Sequence, residues 1–541
     1  MNILVIRFGS LGDVLLTGPT ITNLNINYPD ARIIFLTKES NRGAVAILSG
    51  VSEIVTTSSS PGIFEIFRMA DKLQERGIDL IVDLQRNTRS VLLRKLISST
   101  AQVAFKKDRL LRQLFVWRKR KPTGIDHVID RYNASLGEFD SSIITPVRRF
   151  IINEVSLQRS DAKLPKKLRS WIASGESILA ISPGAKHETK RAPFELFREV
   201  AALMIASDGM KVLSIIGKSE DDLILTNVGS PDDVLELKNF AINDVALCLK
   251  YCSATLSNDS ALAHLSSGVG VPTAVIFGPT HPNLGFAPRG FYDKVIETDE
   301  YCRPCSLHGS IKCFRSERFC FTRMKPEEIV ETLREMIARK HLSRPALFID
   351  RDGTIIKEKG FLGDPNAVEF EDGAIDGMLR AQKAGFALVI ISNQSGVARG
   401  ITTHEQVQIV QERVVALAKT RGVEIDLALY APGYPSSVYD RADPESIRRK
   451  PGEGMLSEAI ELLSLDPRRS WMIGDRQSDY LAGLTIGART ALVRTGYGSE
   501  QEARVGLNSP VKPDIVGDNL GVVVDHILKS IEETTANQLT S

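Results

Sequence analysis

Ala346-Leu-Phe-Ile-Asp350-Arg-Asp352-Gly-Thr354 is an apolar run that ends in two aspartates and a glycine. Such a run is typical of a buried parallel strand, and ligands bind beyond the carboxyl ends of these strands. Asp350 can attack phosphorus, and Asp352 can protonate the leaving oxygen and later activate water. Gly353 permits the tight turn that follows. The stretch therefore predicts an aspartate-nucleophile phosphatase domain beginning near residue 343.

Three further segments in this part of the chain carry groups that suit the same chemistry. A second apolar run ends at Ser392, whose hydroxyl can hydrogen-bond a phosphate oxygen. Lys450 stands between an arginine and a proline, and its ammonium can neutralise the phosphate and the nucleophile. Asp475 ends a third run and can complete an oxygen-ligand Mg²⁺ site with Asp350 and the backbone carbonyl of Asp352. One such motif also fits a turn with a solvated acid, but four in this order predict a catalytic site.

The ordered set resembles the haloacid dehalogenase (HAD) phosphatases. Residues 350–354, 392–400 and 449–451 look like D-glycero-D-manno-heptose 1,7-bisphosphate phosphatase, with histidinol-phosphate phosphatase as the close relative. The resemblance implies a Rossmann-like α/β domain, a Mg²⁺ cofactor and a sugar phosphate substrate. Its substrate-binding positions here would be Ser392, Asn393, Arg399 and Arg449.

One loop departs from that family. Its members usually carry Cys-x-His and then Cys-x-Cys before the Arg-Lys-Pro, and these residues bind zinc. Residues 430–450 of this chain contain neither Cys nor His. Because zinc needs such ligands, we expect no zinc in the phosphatase domain. The loop helps to select the substrate in the family, so the exact sugar phosphate stays open.

Length and charge limit the remaining possibilities. A chain of 541 residues is expected to form two or three domains. Lys+Arg (68) and Asp+Glu (66) nearly cancel, which gives no reason to expect nucleic acid as a partner. The basic stretch 109–121 fits either a solvated helix face or contact with an anionic lipid or acceptor at a membrane surface. No apolar run is long enough to span a membrane, and a cytoplasmic protein is expected.

Apolar runs alternate with amphipathic stretches, which is typical of α/β domains with parallel sheets. The predicted strands are residues 2–6, 32–36, 80–83, 178–181, 212–216, 254–256, 273–277 and 346–350. A helix is expected from about Asp13, and another over residues 326–339. The polar stretch 158–169 is predicted to be a linker. The predicted division is three α/β domains and a polar tail: 1–160, 165–340, 343–535 and 536–541.

Four motifs at strand ends and helix starts lie in the N-terminal part of the chain. Residues 7–14 (Arg-Phe-Gly-Ser-Leu-Gly-Asp-Val) follow the first strand, and Asp13 fits either a catalytic role or an ordinary helix N-cap. Residues 181–193 follow a later strand and form a basic Gly/Thr loop. Residues 257–264 (Ser-Asn-Asp-Ser-Ala-Leu-Ala-His) open a helix whose N-terminal amides can bind a diphosphate. Residues 271–282 lead through Phe-Gly-Pro-Thr into another loop.

Together these motifs resemble glycosyltransferase family 9, the ADP-heptose:lipopolysaccharide heptosyltransferases. The resemblance implies a GT-B fold, in which two Rossmann-like domains face each other across a cleft. It implies inverting, metal-independent transfer in which Asp13 is the general base. Lys190 would neutralise phosphate as the nucleotide leaves, and Glu220 would contact the donor ribose.

The same resemblance implies that the helix after residue 258 binds the donor. Asp259 would hold sugar hydroxyls, and the amides of Ser260 and Ala261 would bind the diphosphate. His264, one turn further, fits either the donor site or a core-facing position. Ala192 stands where tryptophan is common in the family, and Ala261 where glycine is common. The identities of the donor and the acceptor are therefore less certain than the assignment to the glycosyltransferase class.

Cys302, Cys305, Cys313 and Cys320 have a spacing compatible with a four-thiolate zinc site. Labile disulfides and free thiols are the alternatives. No catalytic role is assigned to this cluster.

The whole sequence thus predicts a bifunctional enzyme of heptose metabolism. Its phosphatase would remove the C7 phosphate of the 1,7-bisphosphate through an aspartyl-phosphate. Its transferase would use an ADP-heptose-like donor and a lipid-linked, lipopolysaccharide-type acceptor at the membrane surface. The alternative is a histidinol-phosphate or other small phosphomonoester phosphatase fused to a degenerate carbohydrate-binding GT-B module.

Overall fold

The structure is a computed structural model. It describes residues 1–540 except 120–124, 153–163, 218–219, 221, 224, 226–227, 310–311, 434–443 and 505–510, and the side chains of 444–445 and 534–540 are also left out. The backbone forms two compact units. Unit 1 consists of Met1–Leu24, Ala31–Ser141 and Arg149–His341, and unit 2 consists of Asn25–Asp30, Ser142–Arg148 and Leu342–Ser541. The three sheets described below are all parallel.

The first sheet of unit 1 has the order β3-β2-β1-β4-β5. Its strands are β1 Asn2–Ile6, β2 Arg32–Lys38, β3 Glu53–Thr57, β4 Leu80–Asp83 and β5 Ala101–Ala104. The accompanying helices are α1 Leu11–Leu15, α2 Gly18–Asn27, α3 Arg42–Ala46, α4 Ile63–Gln74, α5 Thr88–Leu96, α6 Arg109–Arg118 and α7 Val128–Gly137. The central strand β1 is buried over its last four residues, as expected for a parallel strand covered on both faces.

The second sheet of unit 1 has the order β11-β10-β9-β6-β7-β8. Its strands are β6 Ile178–Ser182, β7 Lys211–Ile216, β8 Val234–Lys238, β9 Ala254–Asn258, β10 Thr273–Phe277 and β11 Lys294–Glu297. The helices are α8 Lys166–Ala173, α9 Phe194–Asp208, α10 Ile242–Leu249, α11 Ala261–Gly268, α12 Phe319–Thr322 and α13 Pro326–Leu342. Phe197, Met204, Leu333 and Met336 pack with the strands in one buried apolar core.

The sheet of unit 2 has the order β14-β13-β12-β15-β16-β17. Its strands are β12 Ala346–Ile349, β13 Ala387–Asn393, β14 Leu427–Ala431, β15 Trp471–Gly474, β16 Arg489–Val493 and β17 Ile515–Gly517. The helices are α14 Ala374–Lys383, α15 His404–Thr420, α16 Pro444–Arg448, α17 Gly454–Leu463, α18 Gln477–Ile486, α19 Gly498–Arg504 and α20 Leu520–Thr540. Single 3₁₀ turns occur at Glu39–Asn41, Glu188–Lys190, Pro282–Leu284, Pro365–Ala367 and Pro467–Arg469.

Each predicted strand is present, but several element ends differ from the prediction. Helix α1 begins at Leu11, two residues before the predicted start. Asp13 therefore lies inside its first turn, where its carboxylate accepts a hydrogen bond from the backbone N–H of Ser10. Helix α13 continues to Leu342, past the predicted end at residue 339. The backbone of the expected tail is helical through Thr540. Most of the predicted linker, residues 158–163, lies outside the described residues, and residues 166–169 begin α8.

Among the described residues, none of the helices is both long and apolar enough to cross a membrane.

Candidate active sites

The motif residues of unit 2 meet because three neighbouring strands end at the same edge of the sheet. Strands β13, β12 and β15 are adjacent, and all run in the same direction. Ser392 lies at the end of β13, while Asp350 and Asp475 directly follow β12 and β15. Parallel strands bring their carboxyl ends to one edge, where ligands bind in open α/β sheets.

Lys450 lies between two carboxylates of this edge. Its Nζ is 2.7 Å from Oδ1 of Asp350 and 2.7 Å from Oδ1 of Asp479, and it donates to the carbonyl of Ile391 at 2.7 Å. Burial alone would lower the pKa of Lys450, but the two carboxylates outweigh it and raise that pKa above its ordinary value. Lys450 is therefore an ammonium held against the predicted nucleophile.

Asp352 is oriented by neighbours that the sequence motifs did not assign. Gln394 Nε2 donates to Asp352 Oδ2 at 2.7 Å and to Ser392 Oγ at 2.7 Å. The guanidinium of Arg351, which is fully buried, lies 3.0 Å from the same carboxylate oxygen. Asp352 itself stays partly exposed, so its carboxyl group is fixed in direction and open to a substrate. Gln394 and Arg351 are thus positioning candidates that we did not predict.

Oxygen ligands for a cation are present at this edge. One carboxylate oxygen each from Asp350, Asp475 and Asp479 lie within 4.8 Å of one another, and all three side chains are buried. Oδ1 of Asp475 is buried without a hydrogen-bond partner among the described residues, whereas its Oδ2 accepts from Tyr497 N at 2.8 Å. Three hard oxygen donors and an unsatisfied buried oxygen fit a divalent cation such as Mg²⁺. Asp479 joins this set although we predicted only Asp350, Asp352 and Asp475.

The electrostatics of the cluster favour a bound cation. Burial raises the pKa of Asp350 and of Asp475, and each neighbouring carboxylate raises it further. Lys450 opposes this effect at Asp350. Three buried carboxylates with one ammonium leave excess negative charge, which a divalent cation would compensate.

A glycine in the first loop lets Asp475 approach. Gly353 has φ = +79°, and a Cβ added there would collide with Oδ2 of Asp475. The carbonyl of Gly353 accepts a hydrogen bond from Thr495 at 2.7 Å. The tight turn predicted at Gly353 is thus present, and it also makes room for Asp475.

The other predicted substrate residues of unit 2 lie around this edge at different depths. Asn393 exchanges two hydrogen bonds with the backbone of Lys450, each 3.0 Å, so it positions that segment. Arg399 is exposed, with its guanidinium 5.7 Å from the centre of the Phe361 ring. Arg449 donates to the carbonyl of Gly433 at 3.1 Å. Most of the loop in which we expect no zinc, residues 434–443, lies outside the described residues.

In unit 1, a cavity of about 1000 Å³ is lined by loops that follow strands of both sheets. The cavity brings together every residue predicted for the transferase: Asp13, Lys190, Glu220, Asp259, Ser260, Ala261 and His264. Its volume is at the upper end of the range typical of small-molecule sites.

Asp13 is ionised and tightly held. Its Oδ2 lies 2.7 Å from a guanidinium nitrogen of Arg7 and accepts from the N and Oγ of Ser10, each at 3.0 Å. Burial alone would raise the pKa of Asp13, but Arg7 and Ser10 outweigh it and hold the pKa below its usual value. These contacts all fall on Oδ2, so the carboxylate has a fixed orientation.

On the other side of the cavity, Lys190 is paired with Asp259. Lys190 Nζ donates to Asp259 Oδ2 at 2.6 Å, and Thr280 Oγ1 donates to the same oxygen at 2.7 Å. Glu220 is held at the cavity wall by Gly217 N at 2.9 Å and by Arg191 at 3.3 Å. Its carboxylate fits beside the loop because Gly184 has no side chain.

Helix α11 begins at the cavity. Ser260 is its N-cap residue and Ala261 is its first residue, so their amides belong to the unpaired first turn. A Cβ added at Gly12 would lie 3.3 Å from Cδ2 of His264, so helices α1 and α11 approach closely here. Burial lowers the pKa of His264 to about 4, which makes it a neutral imidazole near pH 7.

Two buried arginines near Asp13 were not predicted. Arg112 and Arg131 both stack near Phe286, at 4.8 and 5.9 Å from its ring centre, and Phe286 lines the cavity. Nε and one terminal nitrogen of each guanidinium lack a hydrogen-bond partner among the described residues. Burial and the neighbouring Arg131 lower the pKa of Arg112 to about 10. Such a buried pair is costly unless an anion satisfies it.

The four clustered cysteines of unit 1 are free thiols in the structure. They line a small space of about 20 Å³. Among the described residues, the carboxylate trio of unit 2 is the only set of three possible ligand atoms within 4.8 Å. The geometry therefore does not assemble the zinc site that the Cys302–Cys320 spacing suggested.

Comparison with known families matches each part separately. Residues 66–312 match glycosyltransferase family 9 (heptosyltransferase). Residues 346–482 match polynucleotide kinase 3 phosphatase, and residues 447–523 match the HAD-hydrolase-like family. The GT-B pair and the HAD-type domain predicted from the sequence agree with these matches and with the three parallel sheets.

Two relatives and one solved structure are similar to separate parts of the chain. D-glycero-beta-D-manno-heptose-1,7-bisphosphate 7-phosphatase of Photorhabdus laumondii is 39% identical over 166 residues, which are 30% of this chain and 88% of that protein. The protein of the same name from Salmonella typhi is 39% identical over 162 residues, 30% of this chain and 86% of that protein. The solved E. coli ADP-heptose lps heptosyltransferase II aligns with 63% of this chain and 100% of its own, at 16% identity and a TM-score of 0.49.

The chain therefore belongs, through its C-terminal third, to the D-glycero-beta-D-manno-heptose-1,7-bisphosphate 7-phosphatase family, and it carries this HAD-type enzyme domain in fusion with a glycosyltransferase family 9 domain.

Proposed function

We propose that the chain is a bifunctional enzyme that hydrolyses the C7 phosphate of D-glycero-D-manno-heptose 1,7-bisphosphate and transfers a heptose-like sugar from an ADP-sugar to a lipopolysaccharide-type acceptor. The phosphatase assignment rests on relatives of that name that are 39% identical over most of their length. The transferase assignment rests on one cavity that contains all seven residues predicted for it.

In the phosphatase reaction, a carboxylate oxygen of Asp350 attacks phosphorus while the bond to the sugar oxygen breaks. Asp352 gives its proton to that leaving oxygen, and its contacts with Gln394 and Arg351 fix the direction of transfer. An aspartyl-phosphate on Asp350 results. Asp352 then takes a proton from a water molecule, which attacks phosphorus and regenerates the carboxylate.

Lys450 and Ser392 hold the phosphate in this scheme. Lys450 opposes the effect of burial on the pKa of Asp350, which favours the ionised nucleophile, and it neutralises charge on the phosphoryl oxygens. The hydroxyl of Ser392 lies 3.4 Å from Asp352 and can donate to a phosphate oxygen beside it. Mg²⁺, held by Asp350, Asp475 and Asp479, would supply the remaining positive charge for the transferring phosphoryl group.

A substrate panel tests the phosphatase half. Phosphate release from the heptose bisphosphate should exceed release from histidinol phosphate by at least about tenfold in kcat/KM, a preference of roughly 1.4 kcal/mol. A preference for histidinol phosphate would instead select the alternative substrate class.

In the transfer reaction, Asp13 accepts the proton of the acceptor hydroxyl as that oxygen attacks the anomeric carbon. Its ionised carboxylate is aligned by Arg7 and Ser10. Lys190 neutralises the diphosphate as the C–O bond to the nucleotide breaks, and the amides of Ser260 and Ala261 bind the same group. Asp259 holds sugar hydroxyls, and Glu220 contacts the donor ribose. The neutral imidazole of His264 lines the same cavity.

Arg112 and Arg131 suggest the charge of the acceptor. Two buried guanidinium groups with unsatisfied N–H bonds favour an anionic group, a carboxylate or phosphate, close to the hydroxyl that Asp13 deprotonates. Anionic sugars of a lipid-linked acceptor have this chemistry.

Transfer from ADP-heptose to a lipopolysaccharide acceptor tests the second half, with ADP binding as a separate measurement. Binding without transfer to any acceptor would favour the degenerate carbohydrate-binding module. The domain boundaries 1–160, 165–340 and 343–535 and the cytoplasmic location stay predictions.

A further inference from the structure

Helix α6 exposes an apolar face to solvent. Leu110 and Trp117 are 87% and 75% exposed, and Leu111 and Leu114 are also exposed. Leu110, Leu114 and Trp117 are spaced by four and three residues, so they lie on one face of the helix. We refer to these four side chains, Leu110, Leu111, Leu114 and Trp117, as the apolar stripe. A surface helix normally turns such a stripe toward the core.

The exposure of the stripe follows from how the opposite face is anchored. Phe115 and Val116 are buried, and the Phe115 ring packs edge-on against His281 at 5.3 Å. Arg112 is buried beside Phe286, and Lys119 Nζ donates to the carbonyl of Pro304. The helix is therefore fixed by its own buried side, and rotating it to hide the stripe would break these contacts.

Cations flank the stripe. Arg109 and Arg118 are exposed at the two ends of α6 and form no ion pair among the described residues. With about 3.6 residues per turn, Arg109 falls on one side of the face formed by Leu110, Leu114 and Trp117, and Arg118 falls on the other side. Leucine and tryptophan between arginines is the composition of helices that lie in the interface of an anionic membrane. Arg120 and Lys121, which extend the basic stretch in the sequence, lie outside the described residues.

A second exposed apolar patch lies at the start of helix α4. Helix α4 exposes Phe64 (83%), with Ile63 and Phe67 beside it. Helices α4 and α6 follow β3 and β5, the two edge strands of the first sheet, and both begin after the carboxyl ends of those strands. Four inter-strand spacings, about 19 Å in all, separate β3 from β5. Both helices therefore begin on the side of the first sheet where its strands have their carboxyl ends.

A second cavity of about 390 Å³ is lined by residues at and beyond the carboxyl ends of strands of the first sheet, including Lys38, Asn87 and Arg89. It shares Ser10 and Leu11 with the large cavity that contains Asp13. An acceptor whose lipid stays in a bilayer could thus present its sugar to Asp13 through this opening.

We propose that the apolar stripe, with Arg109 and Arg118, docks unit 1 on the surface of an anionic lipid bilayer. This goes beyond the proposed transfer reaction, because docking is measured without either activity. It places the cavity beside Asp13 at the membrane surface.

Vesicle binding of the full-length protein tests the proposal. Co-sedimentation is expected with phosphatidylcholine vesicles that contain about 30 mol% phosphatidylglycerol, and much less with phosphatidylcholine alone. Combining Leu110→Gln, Leu114→Gln and Trp117→Gln should reduce binding about tenfold or more, since the apolar area is lost. Each of Arg109→Gln and Arg118→Gln should reduce it about fivefold, an effect that salt removes. Leu462→Gln removes an exposed leucine of unit 2, whose exposure of 63% lies between those of Leu110 and Leu114, and should change nothing.

Tryptophan fluorescence gives an independent readout. Of the three tryptophans, Trp171 and Trp471 are buried, so a blue shift on adding vesicles reports on Trp117. Trp117→Phe should keep binding and lose the shift. ADP binding and phosphate release should be unchanged in each variant, which separates failure of docking from failure of either proposed activity.

Two results would overturn the proposal. In one, the wild type stays in the supernatant with both kinds of vesicle and shows no blue shift. In the other, the wild type self-associates in sedimentation and the triple variant does not, while vesicle binding is either absent in both or the same in both. The stripe would then be an interface between copies of the chain.

Discussion

Lys450 Nζ lies 2.7 Å from Oδ1 of Asp350, and both side chains are buried. The contact joins the proposed nucleophile to the lysine that the sequence motifs assigned to the phosphatase site. Removing one partner of a buried pair leaves an uncompensated charge, which costs much more than the pair itself contributes.

Lys450→Met should therefore reduce both activity and stability. We expect kcat for phosphate release to fall at least about 10²-fold and the free energy of unfolding without Mg²⁺ to fall by about 3 kcal/mol. Added Mg²⁺ should restore part of the stability, because it compensates the carboxylates. Urea unfolding with and without Mg²⁺ measures this, and stability equal to wild type in metal-free buffer would contradict it.

Gly353→Ala should abolish phosphatase activity, since its Cβ would collide with Asp475. Gly360→Ala is a matched control: its φ of +76° imposes the same backbone strain, but no atom lies within 4 Å of the added Cβ. Gly360→Ala should lose about 1 kcal/mol of stability from backbone strain, and Gly353→Ala at least as much. Only Gly353→Ala should lose Mg²⁺ affinity, measured by calorimetry. Equal Mg²⁺ affinity in the two variants would show that Asp475 does not bind the metal.

Asp13→Asn should reduce glycosyl transfer by about 10²- to 10⁴-fold, the usual contribution of a general base. ADP binding should stay within about twofold of wild type, because Asp13 contacts Arg7 and Ser10 and the donor contacts lie elsewhere. Asp259→Asn should show the reverse, a large loss of donor binding. Phosphate release by the same samples reports on folding, and full transfer by Asp13→Asn would remove it as the base.

Arg112→Met should raise KM for an anionic acceptor at least about tenfold and leave KM for the donor unchanged. Because the wild-type guanidinium is buried beside Arg131 without a hydrogen-bond partner for two of its nitrogens, the variant should be as stable as wild type or more stable. Thermal unfolding and the two KM values test this. A large loss of stability with unchanged KM would mean that Arg112 is purely structural.

The raised pKa of Asp293 leads to a prediction of how the free energy of unfolding depends on pH. Burial raises its pKa to about 6, although Ser267, Gly290 and Thr273 donate to its carboxylate. The folded state therefore keeps the proton to a higher pH than the unfolded chain, whose aspartates titrate near pH 4. The stability that this proton provides is complete below about pH 4 and is lost as pH rises through about 6.

The test compares Asp293→Asn with wild type between about pH 4 and 7. The free energy of unfolding of the variant, relative to that of the wild type, should increase by about 3 kcal/mol from about pH 4 to pH 7. A difference in unfolding free energy that does not change with pH would contradict the raised pKa.

The sequence was sufficient for the interior of each sheet. Every strand that we predicted lies in the structure, and central strands such as β1 and β6 are continuous apolar runs buried on both faces. The strands that we missed in unit 1 are β3, β5, β8 and β11, and all four are sheet edges. Edge strands such as Ala101–Ala104 and Lys294–Glu297 are half exposed and mix polar with apolar residues, so no apolar run indicates them.

In the candidate active sites, too, some residues could be predicted from the sequence and others could not. Residues at strand ends and helix starts, such as Asp350, Asp475 and Asp13, were predictable because chain position fixes where they lie. Residues that reach the site only by packing were not. Arg112 and Arg131 arrive from two helices after the last strand of the first sheet, and their unsatisfied N–H groups are visible only in three dimensions. Asp479 lies four residues after Asp475 in the sequence, and that spacing was the available signal.

Phosphate release from D-glycero-D-manno-heptose 1,7-bisphosphate by the wild type and by Asp350→Asn tests the central claim most directly. The wild type should release the C7 phosphate in a Mg²⁺-dependent reaction. Asp350→Asn should be slower by about 10³-fold or more, with unchanged circular dichroism and unchanged glycosyl transfer. Phosphate release by Asp350→Asn at a rate near that of wild type would contradict the account.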